Sequence, residues 1–223
     1  MIPKRIHYCW FGGGPKTELM QRCMDTWPRI LPDYEIKEWN EGNFALDTAY
    51  TREAHSRGLW SRLSNYVRLH ALMNEGGIYL DTDVEMLKSF DPLLADDCFL
   101  GFQLEQRYVD WVNLAVFGSR GENAFLKRCM ELTVELYNKE GKFFRGPTVT
   151  TMVLKEMGLR EYGLQEIGGV KLYPREYFYP YSWRQRYSPE CISEDTYCIH
   201  HWAGSWLPKP SLFRRFWHFL TRG

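Results

Sequence analysis

The chain has 223 residues, enough for one sizeable core. Its 28 Lys and Arg match 28 Asp and Glu, so the formal net charge is +0 and no basic excess argues for nucleic acid as a partner. The first residues lack the apolar core of a secretion signal, no apolar run approaches a membrane span, and the six cysteines form no C-x-x-C pair. Together these lead us to expect a cytoplasmic protein with reduced thiols and no zinc ribbon.

Arg5 to Phe11 reads as a first strand, ended by the loop Gly12-Gly13-Gly14-Pro15. Met20, Cys23, Met24 and Trp27 recur at helical spacing, and Pro28 is expected to close that helix. Tyr34 to Trp39 reads as a second strand, which gives the strand–helix–strand rhythm of an α/β domain. Leu59 to Glu75 is the clearest helix. Trp60, Leu63, Val67 and Ala71 share one stripe, Ser61, Asn65, Arg68 and Leu72 a neighbouring one, and Gly76 stops it.

Gly76-Gly77-Ile78-Tyr79-Leu80-Asp81-Thr82-Asp83-Val84 organises the chain. A short apolar run after glycine predicts a buried strand. Residues two apart in an extended chain point the same way, so Asp81 and Asp83 should share a face. Two neighbouring carboxylates repel unless something neutralises them, and a divalent cation with phosphate as a further ligand does so.

Further strands are expected at Cys98 to Phe102 and from Val109 to Gly118. Asn113 lies within the second of these, placed either to fix a loop or to face a ligand. Asn123 should cap a helix, and Gly146-Pro147-Thr148 should begin another. Leu172 to Tyr181 is rich in aromatics and proline and reads as a covering segment, not a central strand. Ile199 to Trp206 then gathers two imidazoles, two indoles and a hydroxyl. A histidine from this stretch would complete a cation site at the aspartates. Leu212 to Leu220 mixes aromatics with arginines in the manner of an interfacial helix, a candidate for peripheral contact with the inner face of the cell membrane.

Several of these stretches, in this order, resemble glycosyltransferase family 32. They are Ile2 to Gly13, Ser64-Asn65-Tyr66-Val67-Arg68, Gly76 to Val84, Val112 to Gly118, Gly146-Pro147, Phe178-Tyr179-Pro180 and His200-His201-Trp202 with Ser205-Trp206. The resemblance implies a single GT-A domain over residues 1–223, with 207–223 as a basic-aromatic tail. Its sheet would be central, mixed and mostly parallel, flanked by helices. It implies retaining, metal-dependent transfer of a hexose from a UDP-sugar to a glycan or lipid-linked saccharide, in capsule, lipopolysaccharide or other surface polysaccharide synthesis. The cation would be Mn2+ or Mg2+, held by Asp83 and Asp81, with His201 favoured over His200 as a further ligand. Trp10, with Tyr8 and Gly12 beside it, would hold the uracil, and Ser205 and Trp206 the diphosphate. Arg68 and Asn65 would meet the donor sugar, with Asn113 nearby. This chain has Asn65 where the family usually has aspartate. Two other readings are a silent nucleotide-sugar-binding module and a metal-dependent phosphotransferase. Glu85, two residues after Asp83, disfavours the second.

Overall fold

The computed structural model describes residues 1–204. Its main sheet has seven strands. In chain order they are β1 (Arg5–Cys9), β2 (Glu35–Trp39), β3 (Gly77–Leu80), β5 (Cys98–Phe102), β6 (Val112–Ser119), β7 (Gln165–Ile167) and β8 (Val170–Tyr173), and they lie side by side as β2-β1-β3-β6-β5-β8-β7. The pairings β1–β2, β1–β3 and β5–β8 are parallel; β3–β6, β5–β6 and β7–β8 are antiparallel. The sheet is therefore mixed and mostly parallel, as expected: β1, β2, β3, β5 and β8 run one way, and β6 and β7 the other. A small second sheet pairs β4 (Val84–Met86) with β9 (Cys198–His200).

The helices α2 (Ala49–Ser56), α3 (Trp60–Glu75), α4 (Ala124–Glu140) and α5 (Gly146–Met157) cover one face of the main sheet. Their core joins Leu63, Val67, Leu72, Phe125 and Val153 to Tyr79, Leu114 and Phe117. The helix α1 (Glu18–Ile30) and the small sheet cover the other face. There Trp27, Val84 and Cys198 pack on Ile6, Ile78 and Leu80. The alternation of Ile78, Tyr79 and Leu80 between the two cores is the period-two pattern of a strand buried on both sides.

Two local expectations change. Helix α1 runs through Pro28 to Ile30, because a proline in the last turn forfeits a single helical bond and the Leu31 N–H still closes on the Trp27 carbonyl at 2.8 Å. Leu172 and Tyr173 belong to β8, an internal strand. Pro174 follows its end, so no ladder bond is lost.

The entry to β3 is the tightest passage in the fold. The buried His7 ring of β1 lies over Gly77, where a Cβ would stand 2.7 Å from the Arg5 carbonyl oxygen and 3.0 Å from His7 Nε2, at φ +106°. The Trp39 indole N–H donates to His7 Nδ1 at 3.0 Å, so Nε2 carries the proton and donates to the Gly76 carbonyl at 2.8 Å. Burial pushes His7 down to about 4, which keeps it neutral. Helix α3, the glycine pair and β3 are thereby set in one orientation, with the aspartates at the C-terminal end of the strand.

Candidate active site

Asp81 and Asp83 converge, by a route other than extension. Strand β3 ends at Leu80, and the Val84 N–H bonds the Asp81 carbonyl at 3.0 Å, so Asp81 to Val84 form a tight turn. The chain then leaves the main sheet as β4 and pairs with β9, with Val84 opposite His200. One ligand atom from each of Asp81, Asp83 and His200 falls within 4.8 Å of the others.

Each carboxylate is held from several directions. Asp81 accepts from the Tyr79 hydroxyl at 3.0 Å and lies 3.0 Å from Arg68 Nη2. The Arg68 side chain is buried, lies across the Tyr79 ring at 4.5 Å, and donates to the Leu114 and Ser64 carbonyls at 2.8 and 3.1 Å. Burial works against its charge, but the Asp81 carboxylate outweighs burial and raises the guanidinium pKa further. Asp83 is 7% exposed and accepts from the Ala203 backbone N–H at 2.7 Å. Burial would raise its pKa. The imidazole of His200, 3.3 Å away, overcomes this and holds the carboxyl down at about 2. His200 shows the converse: burial lowers its pKa, the Asp83 charge raises it, and the net direction is up.

His200 takes the place expected of His201. Neighbouring residues of a strand face opposite ways, and pairing with β4 turns His200 toward the aspartates. His201 instead faces Glu85, with Nε2 2.8 Å from its carboxylate, while its backbone N–H bonds the Asp83 carbonyl at 3.0 Å. The Nδ1 atom of His200 is buried without a hydrogen-bond partner among the described residues. Two carboxylates and an imidazole with an uncommitted buried nitrogen fit a divalent cation. Trp202 follows at φ 52°, a left-handed conformation unusual for a large residue, and its ring lies 4.2 Å from the His200 ring.

Other expected site residues are committed elsewhere. Asn113 is buried; its amide donates to Gln103 Oε1 at 2.6 Å and its oxygen accepts from the Ala115 N–H at 2.9 Å. It braces β6 beside the register shift of β5, which is the loop-fixing alternative. Asn65 leaves α3 toward Gly146 at the start of α5, where a Cβ would meet its Oδ1 at 2.8 Å. Arg68 alone of that pair reaches the aspartates. The Tyr8 hydroxyl donates to Glu38 at 2.6 Å. Trp10 is half-buried; its indole N–H donates to the Gly14 carbonyl at 2.8 Å, and the Lys16 ammonium lies 4.7 Å from its ring. Gly12 (φ +82°) admits the Trp60 ring, 2.5 Å from where a Cβ would be, so the close approach it permits is to a side chain. Ser205, Trp206 and the Leu212–Leu220 stretch lie outside the described residues. Tyr79 was not expected in the site, although its place two residues before Asp81 was visible.

The family described as "Glycosyltransferase sugar-binding region containing DXD motif" matches residues 17–100, which hold Arg68, Asp81 and Asp83. The "Alpha 1,4-glycosyltransferase conserved region" matches residues 119–209, which hold His200. The chain belongs to the DXD-motif glycosyltransferases. It is 32% identical to lactosylceramide 4-alpha-galactosyltransferase of Rattus norvegicus over 210 residues, 82% of this chain and 56% of that protein. It is 30% identical to alpha-1,4-N-acetylglucosaminyltransferase of Homo sapiens over 188 residues, 78% of this chain and 49% of that protein. The chain thus spans about half the length of these relatives. An active-site mutant of LgtC superposes with a TM-score of 0.52 at 14% identity, over 97% of this chain and 95% of that one, and shares the GT-A fold.

Proposed function

We propose that this glycosyltransferase moves a hexose from a UDP-sugar to the saccharide of a glycolipid or other glycan, with retention of anomeric configuration. The observation that carries the reading is the convergence of Asp81, Asp83 and His200 at the end of β3, with a buried nitrogen left uncommitted. Mn2+ or Mg2+ bound there would neutralise the diphosphate leaving group as it departs. The chain's own groups hold that donor set in place beforehand. Arg68 and Tyr79 fix Asp81, and the Ala203 N–H fixes Asp83. Such preorganisation costs nothing at the moment of reaction.

Retention is supported by the names of the relatives. Nucleotide-activated galactose and N-acetylglucosamine are α-linked, and an α-1,4 product keeps that configuration. The name of the lactosylceramide relative also favours a glycolipid acceptor over the capsular or lipopolysaccharide acceptor expected from sequence. A lipid-linked acceptor agrees with a cytoplasmic protein peripheral to the membrane. No helix among the described residues is long and apolar enough to cross one.

The test is incubation with Mn2+, a lactosyl acceptor and each of UDP-galactose, UDP-glucose and their N-acetyl forms. Magnetic resonance of the product then reads the anomeric configuration. An α-linked product from at least one donor is expected. A β-linked product overturns retention, and failure with every donor overturns the reading of substrate class.

A further inference from the structure

Exposed aromatic side chains among the described residues are few, and they are not scattered. Trp60 stands beside the glycine loop after β1. Tyr108, Trp183 and Tyr187, exposed at 43%, 41% and 39%, belong to two loops on the side of the cluster formed by His200 and Trp202. The Trp183 ring meets the Trp202 ring at 5.4 Å, and Trp202 lies on His200 at 4.2 Å. The Arg184 guanidinium lies 5.6 Å from the Trp183 ring and 5.8 Å from the Tyr108 ring, bridging the two loops. Those loops are also tied from below. Arg175 reaches Glu105 at 3.5 Å in one and Gln185 at 3.4 Å in the other, and Gln185 closes a turn on Ser182.

Trp183 and Tyr108 present an exposed indole and an exposed phenol with the Arg184 guanidinium near both, and an exposed aromatic patch of this kind marks a ligand surface. Their chemistry selects one kind of occupant. A pyranose ring offers one face of C–H groups, which buries well on an aromatic ring, and a rim of hydroxyls, which a guanidinium can bond. No carboxylate pairs with Arg184 among the described residues, so its donors remain available.

We propose that Trp183 and Tyr108, with Arg184 between them, form the platform on which the acceptor's terminal pyranose stacks, one indole away from the cation ligands. This rests on the proposed glycosyl transfer and adds to it where the acceptor sits. The platform lies on the Trp202 side of the Asp81, Asp83 and His200 cluster.

The test uses the full chain with Mn2+, the best UDP-sugar and a lactosyl acceptor, measuring acceptor KM and acceptor-independent donor hydrolysis separately. Trp183→Ala and Tyr108→Ala should each raise acceptor KM by about tenfold, as losing one aromatic contact does. Donor hydrolysis should be unchanged, and Trp183→Phe should recover most of the acceptor affinity. Unchanged acceptor KM in both alanine variants overturns the platform, whether or not their Tm falls; so does a parallel loss of donor hydrolysis. Should the wild-type protein neither hydrolyse nor transfer any donor, the glycosyl-transfer reading fails instead. The platform is then decided by titrating the saccharide alone against tryptophan fluorescence: quenching that Trp183→Ala abolishes supports it, and no quenching overturns it.

Discussion

Asp83 and His200 stabilise each other's charged forms at the bottom of the site, and a cation must compete with that pairing. Burial lowers the His200 pKa, but the Asp83 charge outweighs it and the net direction is above 6.5, so at pH 6.5 the imidazole holds a proton that a metal ligand cannot keep. Cation binding should therefore release a proton, and affinity should fall as pH falls through the raised His200 value. Calorimetry in buffers of different ionisation enthalpy checks this: proton release near pH 6.5 is expected, and binding heats independent of buffer would contradict it. His7 titrates in the opposite sense. Its folded value of about 4 lies below the unfolded 6.5, so the unfolded chain binds the extra proton between those limits. Stability should decline as pH drops from 6.5 toward 4, by up to about 3 kcal/mol. His7→Gln, whatever its stability at neutral pH, should show a flatter decline of Tm over that range. An equally steep decline would assign the effect to other groups.

At the scale of elements, legibility followed how local the determinant is. The stripe of Leu63, Val67 and Ala71 announced α3, and Asn123 announced α4, because periodicity and caps act within a turn or two. Helix α2 went unseen. Its capping box is Thr48 with Thr51, and the pattern that advertises such a box has Glu or Gln in the second position. The choice between His200 and His201 was not legible. It depends on β9 pairing with β4, more than a hundred residues earlier in the chain, and one residue of register reverses which imidazole faces in. Asn113 was ambiguous for the same reason, since its partner Gln103 belongs to another strand's end. The Gly76-Gly77 stop was legible, but its necessity appears only with β1 alongside. A methyl at Gly77 would strike the Arg5 carbonyl and the His7 ring at a φ that disfavours side chains. Gly77→Ala should therefore destabilise by about 3 kcal/mol in denaturant titration. A loss under about 0.5 kcal/mol, the range of an ordinary surface change, would show that β3 has room to shift.

Across the whole molecule, one feature makes the site: the last described strand closes on the turn that ends β3. The Ala203 N–H bonds the Asp83 carboxylate, the His201 N–H bonds the Asp83 carbonyl, and Trp202 anchors to the Tyr181 carbonyl at 2.9 Å. A site shared by segments so distant in sequence exists only in the folded protein. A bound cation should then raise Tm, because it binds the native state alone. The most direct test is UDP binding measured by calorimetry with and without Mn2+, in the wild-type protein and in Asp83→Asn, His200→Ala and His201→Ala. Circular dichroism should first show that each variant is folded. UDP should bind with Mn2+ and weaken at least about tenfold without it, Asp83→Asn and His200→Ala should lose the metal-dependent part, and His201→Ala should keep it. Mn2+-dependent UDP binding that survives Asp83→Asn, or that is lost with His201 and kept without His200, would contradict the assignment.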